Sequence, residues 1–293
     1  MKKGLVIGLL APNVIGAIFF GRLLYTSSTM DPSQINVVKN ASAAVTPAAK
    51  TDNSSTPQAD EPSPQTKETV VEKTIGLPAF QEDLPYGKLT SKIPYPNHDK
   101  TVYLTFDDGP GDETREIESI LERNKIRGSF FWVGHNLESW IDKDPTNQKF
   151  AQDMVSKGDI IGSHTMNHTA MSHKSLPVQI QMMKDNAALI TEKVGSPITY
   201  FRPPYGSVDH NTLKASETEK EIIAYWHVDS EDWKYPNNPE KVLSNIMNEV
   251  QPGSIILMHE KPTSAAMLQN IIDSLKEKGY EFSALPSIKT TTK

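Results

Sequence analysis

The run TFDDGP at residues 105–110 decides how the rest of the chain is read. It closes a stretch in which Val102, Leu104 and Phe106 alternate with more polar neighbours, the period of a half-buried strand. Two adjacent carboxylates, Asp107 and Asp108, stand at its end, and Gly109 and Pro110 stop the strand. Successive side chains on an extended backbone point in different directions, so the two acids can serve one site in different roles. Taken alone, the hexapeptide is an ordinary strand ending in an Asp-Gly turn. The residues that follow the later strands overturn that plain reading.

Working outward, strand character recurs at 129–133, 159–162, 198–201, 221–228 and 254–258. Helical spacing marks 112–124, 150–157, 175–194, 211–220, 239–250 and 263–278. The clearest helix is 175–194, where Leu176, Ile180, Met183, Ala187, Ile190 and Val194 form a stripe, with Ser175 to cap it and Gly195 to end it. Strands alternating with helices predict parallel pairing and an α/β fold. The strands run into Asp107 and Asp108, His164, Arg202, the segment 229–233, and His259 in turn. In a closed α/β barrel such groups would meet at one rim.

His164 and His168 are four apart, and one helical turn would put them on one face at chelating distance. Asp108 would complete a set of two imidazoles and one carboxylate with positions left open for water and substrate. His173 is a spare ligand or a surface loop histidine, and the second reading is preferred. His98, His135, His210 and His227 are assigned to solvent or local hydrogen bonds.

The segments TFDDGP, HTMNH, RPPYG, DSEDW and LMH, in that order, resemble the motifs of the polysaccharide deacetylase family, carbohydrate esterase family 4, also called the NodB homology domain. The resemblance covers roughly residues 101–280 and shows no departure at the motif positions. It implies a distorted (β/α) barrel of about seven parallel strands and metal-assisted hydrolysis of an N-acetyl group. Carried over position by position, it makes Asp108, His164 and His168 the ligands of a divalent cation, Zn²⁺ first, with Co²⁺, Mn²⁺ or Ni²⁺ as alternatives. Asp107 becomes the general base and Arg202 the arginine that keeps it ionised and aimed. The backbone N–H of Tyr205, stiffened by Pro203 and Pro204, becomes the oxyanion donor. His259 becomes the general acid, oriented and charged by Asp232, and Trp233 and Leu257 wall the space for the acetyl methyl. Asp229 and Ser230 receive a structural role, and Glu231 faces solvent. Two histidines and a carboxylate also describe a non-haem iron oxygenase, but the second acid and the pairing of His259 with Asp232 suit hydrolysis better. A non-catalytic carbohydrate-binding wall protein would need neither Asp107 nor His259.

Composition frames these readings. The chain has 293 residues, no cysteine and a net charge of -6. Residues 1–75 hold seven basic and six acidic groups, leaving 23 against 30 from residue 76 onward, a balance that argues against nucleic acid as a partner. Lys2 and Lys3 precede an uncharged, mostly apolar run at 4–21, near the lower limit of the roughly 17 to 25 residues that span a bilayer. Residues 1–25 are therefore expected to anchor the chain in the cytoplasmic membrane with the remainder outside. A cleaved signal peptide, which would make the protein secreted, is the alternative. Residues 26–79 lack Phe, Trp and Tyr and read as a disordered linker, whose reach as a flexible coil is on the order of 40 Å. Residues 80–293 form the expected catalytic domain. An outward-facing anchor and a long tether point to the cell's own envelope. The N-acetylglucosamine of peptidoglycan is thus the first expected substrate, ahead of poly-N-acetylglucosamine, chitin or acetylated xylan.

Overall fold

Nine residues from Thr101 to Gly109 form the strand on which the domain is built. In the computed structural model, which describes residues 84–93 and 100–286, this strand, β2, is buried along its length apart from the half-buried Asp108. Alternation divides its side chains between two compartments. Val102, Leu104 and Phe106 pack outward against helices, stacking Phe106 on Phe130 at 5.1 Å, while Tyr103 faces the inside of a curved sheet with Phe131, Tyr200 and Ile255. The strand is thus covered on both faces, as strands in parallel sheets are, and not half-buried as its alternation suggested. Each of these aromatic or aliphatic side chains contributes about 1.5–3 kcal/mol by burial. Truncating Phe106 to Ala would cost about 3–5 kcal/mol.

The other elements follow in strand and helix alternation. They are β1 (Leu89–Thr90), α1 (Thr114–Arg123), β3 (Ser129–Trp132), α2 (Gly134–Lys143), α3 (Thr146–Lys157), β4 (Ile160–Ser163), α4 (Leu176–Val194), β5 (Tyr200–Phe201), α5 (His210–Glu219), β6 (Ile222–Ala224), β7 (Val228–Asp229), α6 (Pro239–Glu249), β8 (Ile255–His259), α7 (Pro262–Glu277) and β9 (Glu281–Phe282). The strands lie in the order β1-β6-β5-β4-β3-β2-β8-β7, with β9 added to the start of β2, and all these ladders are parallel. The result is a half-barrel of parallel strands wrapped by helices, with the parallel α/β pairing that the alternation predicted and the distorted barrel that the family resemblance implied.

Differences from the sequence reading have local causes. The expected strand 221–228 is two strands, β6 and β7, because the chain breaks step at Tyr225 and Trp226, whose rings stack 4.1 Å apart. Helix α2 went unpredicted, since only Leu137 and Trp140 of its outer turns are large buried apolar groups. In α4 the buried stripe is Gln179, Met183, Asn186, Ile190 and Val194. Two of its members are amides that bond other segments: Gln179 Oε1 accepts from Thr212 Oγ1 at 2.7 Å, and Asn186 Nδ2 donates to the Trp132 carbonyl at 3.0 Å. Gly195 ends that helix in the left-handed conformation, but Ser175 makes no capping hydrogen bond. The described residues fall in one compact unit, Thr69–Lys293. Among them no helix is long and apolar enough to cross a membrane. The anchor expected at 1–25 and the linker expected at 26–79 lie outside the described residues.

Candidate active site

Because neighbouring strands run the same way, their C-terminal ends share one edge of the sheet. Asp107 and Asp108 end β2, His164 follows β4, Arg202 follows β5, Asp229 ends β7 with Asp232 and Trp233 just beyond, and His259 ends β8. A cavity of about 550 Å³ opens there, lined by Asp107, Asp108, His164, His168, Tyr205 and His259 among others. Strand order alone brings together groups as distant in sequence as Asp107 and His259, which stand opposite each other in the β2–β8 register.

One half of the cavity is built around Arg202. Its guanidinium is fully buried and stacks 4.1 Å from the Phe131 ring centre. Nη1 donates to Asp107 Oδ1 at 2.7 Å and to Thr105 Oγ1 at 2.8 Å, Nε to the Ala224 carbonyl at 2.8 Å, and Nη2 to the Tyr225 carbonyl at 3.0 Å. With so many bonds the group cannot swing, and Asp107 is held by one oxygen while Oδ2 stays on the cavity side, 3.8 Å from His164 Nε2. Burial pulls the Arg202 pKa down and the Asp107 charge opposes it.

The backbone carbonyl of Arg202 also fixes His164. It lies 2.6 Å from Nδ1, so the ring carries its proton there and Nε2 is left bare. Burial pushes the His164 pKa down against the charges of Asp107 and Asp108, which keeps the ring in the neutral form that binds metals. Asp108 Oδ1 is buried without a hydrogen-bond partner, 3.7 Å from His164 Nε2 and 3.1 Å from His168 Nε2. Burial alone would raise the Asp108 pKa, but His168, His259 and His164 outweigh it and hold the carboxyl well below the usual range. Ligand atoms of these three residues lie within 4.8 Å of one another. A cation with bonds of about 2.0–2.2 Å needs its nitrogen and oxygen donors roughly 3–4 Å apart. A bare imidazole nitrogen, an orphaned carboxylate oxygen and a second imidazole at such spacings fit a small divalent cation.

The expected helical turn between the two histidines is absent. Residues 164–168 form a loop in which Thr165 and His168 have φ of 64° and 52°, and this left-handed backbone turns His168 toward Asp108. Tyr205, also left-handed with φ 60°, lays its ring edge-on to His168 at 4.6 Å and places Oη 3.1 Å from Nδ1. Among the described residues His173 does not join the metal-ligand cluster; its amide bonds Asp209. His227 Nδ1 pairs with Ser254 Oγ at 2.9 Å, the local bond expected of it.

The other half of the cavity belongs to His259. Its Nδ1 lies 2.6 Å from Asp232 Oδ1, its backbone N–H donates to Asp232 Oδ2 at 2.7 Å, and Ser264 Oγ donates to the same oxygen. Burial works to lower the His259 pKa, but the Asp232 hydrogen bond and the charges of Asp232, Asp107 and Asp108 raise it above the ordinary value. Asp232, desolvated yet paired, is lowered on balance. Trp233 is 53% exposed and Leu257 is buried; both line the cavity, as does Tyr205, itself 74% exposed. Asp229 lines it too while accepting from the Glu231 N–H, and Glu231 pairs with Lys234 and Asn245 instead of simply facing solvent. Three contributors were missed from sequence. Trp226 and Lys261 line the cavity, with Lys261 Nζ 3.6 Å from Asp108 Oδ2, and Asn136 donates to the Asp108 carbonyl at 2.7 Å. Neither periodicity nor any of the recognised segments marks them.

A polysaccharide deacetylase family model matches residues 95–219. A peptidoglycan-N-acetylglucosamine deacetylase of Bacillus cereus is 32% identical over 195 residues, 63% of this chain and 69% of that protein. The chain belongs to the polysaccharide deacetylase family. Among solved members, the Bc1960 peptidoglycan N-acetylglucosamine deacetylase in complex with 4-naphthalen-1-yl-N-oxidanyl-benzamide is similar at a TM-score of 0.61 and 30% identity, over 71% of this chain and 95% of that one. A family pseudoenzyme from Bacillus anthracis, BA3943, is similar at 0.60 and 26% identity, over 69% of this chain and 68% of that one. Family membership and fold therefore do not by themselves speak for the chemistry of a site; the residues that line it must.

Proposed function

We propose that this polysaccharide deacetylase removes N-acetyl groups from the N-acetylglucosamine of cell-wall peptidoglycan, working outside the cytoplasmic membrane on a tether anchored by residues 1–25. One observation carries the chemistry. Asp107 and His259 face one cavity from adjoining strands, each with its own buried partner of opposite charge, beside the orphaned oxygen of Asp108.

Asp108, His164 and His168 would hold the divalent cation, Zn²⁺ by the donor set. Such a cation supplies a bound water acidic enough to be deprotonated near neutral pH and polarises the amide carbonyl. Asp107 accepts the proton of the attacking water, and Arg202, by holding Oδ1, aims the carboxylate and leaves Oδ2 free for that task. The carbonyl oxygen gains negative charge as the carbon–oxygen bond forms, and the Tyr205 N–H donates to it. His259, charged through Asp232, gives its proton to the sugar nitrogen as the carbon–nitrogen bond breaks, so the amine leaves neutral and acetate is released. Leu257 and Trp233 border the space for the acetyl methyl.

The substrate follows from the relatives and from the predicted anchor, which together favour the producing cell's own wall. The test is mass spectrometry of muropeptides from cells with and without the gene. Muropeptides one acetyl group lighter only when the protein is present are expected. Identical muropeptides in the two strains would refute peptidoglycan and move the assay to exported poly-N-acetylglucosamine.

A further inference from the structure

The end of β2 is irregular where the two acids stand. Its ladder with β3 slips between Asp107 and Gly109, and Asp108 has φ 70°. Unbroken alternation would send Asp107 inward and Asp108 to the helix side with Leu104 and Phe106; the bulge brings both carboxyls to one cavity. The bulge takes the Asp108 carbonyl out of the ladder, where it finds a side-chain donor, while those of Asp107 and Gly109 keep their ladder bonds to the residues just after β8 and β3. The Asp107 carbonyl accepts from the Glu260 N–H at 2.9 Å, that of Asp108 from Asn136 Nδ2 at 2.7 Å, and that of Gly109 from the Val133 N–H at 2.8 Å. The space beside Gly109 is filled by the Glu260 side chain, so closely that a Cβ at residue 109 would lie 1.7 Å from Glu260 Oε1. The Glu260 carboxyl is buried and accepts from Trp132 Nε1 at 2.8 Å and from Thr114 Oγ1, which itself accepts from the Gly111 N–H at 2.8 Å.

We infer that Glu260 is a positioning residue for the cation site: wedged against the 107–109 bulge, it sets where Asp108 Oδ1 sits relative to His164 and His168. The inference rests on the reading of those three residues as ligands. A leucine would fill the same space with far less desolvation. What it cannot do is accept hydrogen bonds from Trp132 and Thr114, the two segments that flank the bulge. Partners one step behind a ligand set its orientation, and their loss typically weakens metal affinity about 10- to 100-fold.

The experiment compares metal-free wild type, E260L and E260Q, each titrated with Co²⁺ by visible spectrum and with Zn²⁺ against a chromogenic chelator, with thermal melts alongside. E260L should bind both ions at least about 10-fold more weakly and show an altered Co²⁺ spectrum. E260Q, whose amide oxygen still accepts from Trp132, should stay near wild type. A lowered melting temperature with affinity and spectrum intact marks a mere space-filler and overturns the inference. Where E260L does not fold, T114V removes one of the two donors and keeps the wedge. A smaller loss of affinity is then expected, and an unchanged one overturns the inference equally. Wild type that takes up no Co²⁺ would instead overturn the cation reading on which the role of Glu260 depends.

Discussion

Two clusters of charged side chains, each with buried carboxyls around an arginine, sit at opposite edges of the sheet. At the N-terminal edge Arg127 Nη1 is shared between Glu118 Oε1 at 3.1 Å and Asp159 Oδ2 at 3.4 Å. Burial and the neighbouring Asp159 charge push the Glu118 pKa up, and burial raises Asp159 as well. At the C-terminal edge Asp107 pairs with Arg202 and Asp232 with His259, and Asp108, facing His164 and His168, is held low. Both clusters contain a buried carboxylate oxygen without a hydrogen bond, Glu118 Oε2 and Asp108 Oδ1. One sits beside another carboxyl; the other faces two imidazoles across an open cavity. A perturbed titration marks both clusters, so surroundings, not perturbation, distinguish a site from a structural knot.

That contrast can be broken at either edge. The largest effect should come from a chelator, which is expected to abolish turnover, with recovery on adding Zn²⁺ or Co²⁺; an enzyme indifferent to chelation would deny the C-terminal cluster its cation. Next, D107N should lower turnover by about 10²- to 10⁴-fold while calorimetry finds Zn²⁺ binding retained, and near-normal turnover would remove Asp107 as the base. D232N acts more gently. His259 must carry its proton to act, so activity fades as pH rises through its pKa. Losing the Asp232 bond and charge lowers that pKa, so the alkaline limb of the pH–rate profile should move to lower pH. An unmoved limb would separate the two residues functionally.

The smallest effect belongs to the N-terminal edge. A carboxyl with a raised folded-state pKa costs stability above its unfolded value, and the penalty grows as pH climbs toward the raised one. E118Q escapes that penalty, so its melting temperature relative to wild type should rise between about pH 5 and about pH 8, with turnover unchanged. A pH-independent difference would mean that Glu118 stays ionised throughout.

Much of the candidate site was legible because strand alternation and parallel pairing need no knowledge of side-chain packing. Once 101–109 reads as a strand in an α/β fold, whatever follows each strand shares its edge. Backbone departures and buried polar contacts were not legible. Nothing in HTMNH announces that Thr165 and His168 take left-handed φ instead of a helical turn, and nothing in TFDDGP announces a bulge. Gln179 and Asn186 broke the apolar stripe of α4 because their burial depends on partners in other segments. Lys261, Trp226 and Asn136 belong to no periodic pattern, and only three-dimensional proximity identifies them.

Asp108, Thr165, His168, Tyr205 and Glu231, all at or beside the cavity, occupy a backbone region that favours glycine, at a penalty on the order of 1 kcal/mol each. Glycine at any of them would relax the chain and erase a side chain at or next to the reaction. A mutant library screened only for heat resistance should therefore accumulate glycines around this mouth, and clones that take one at Asp108 or His168 would lose a ligand of the cation site. Directed evolution of this protein has to score released acetate alongside survival, because robustness and catalysis compete here for the same few torsion angles.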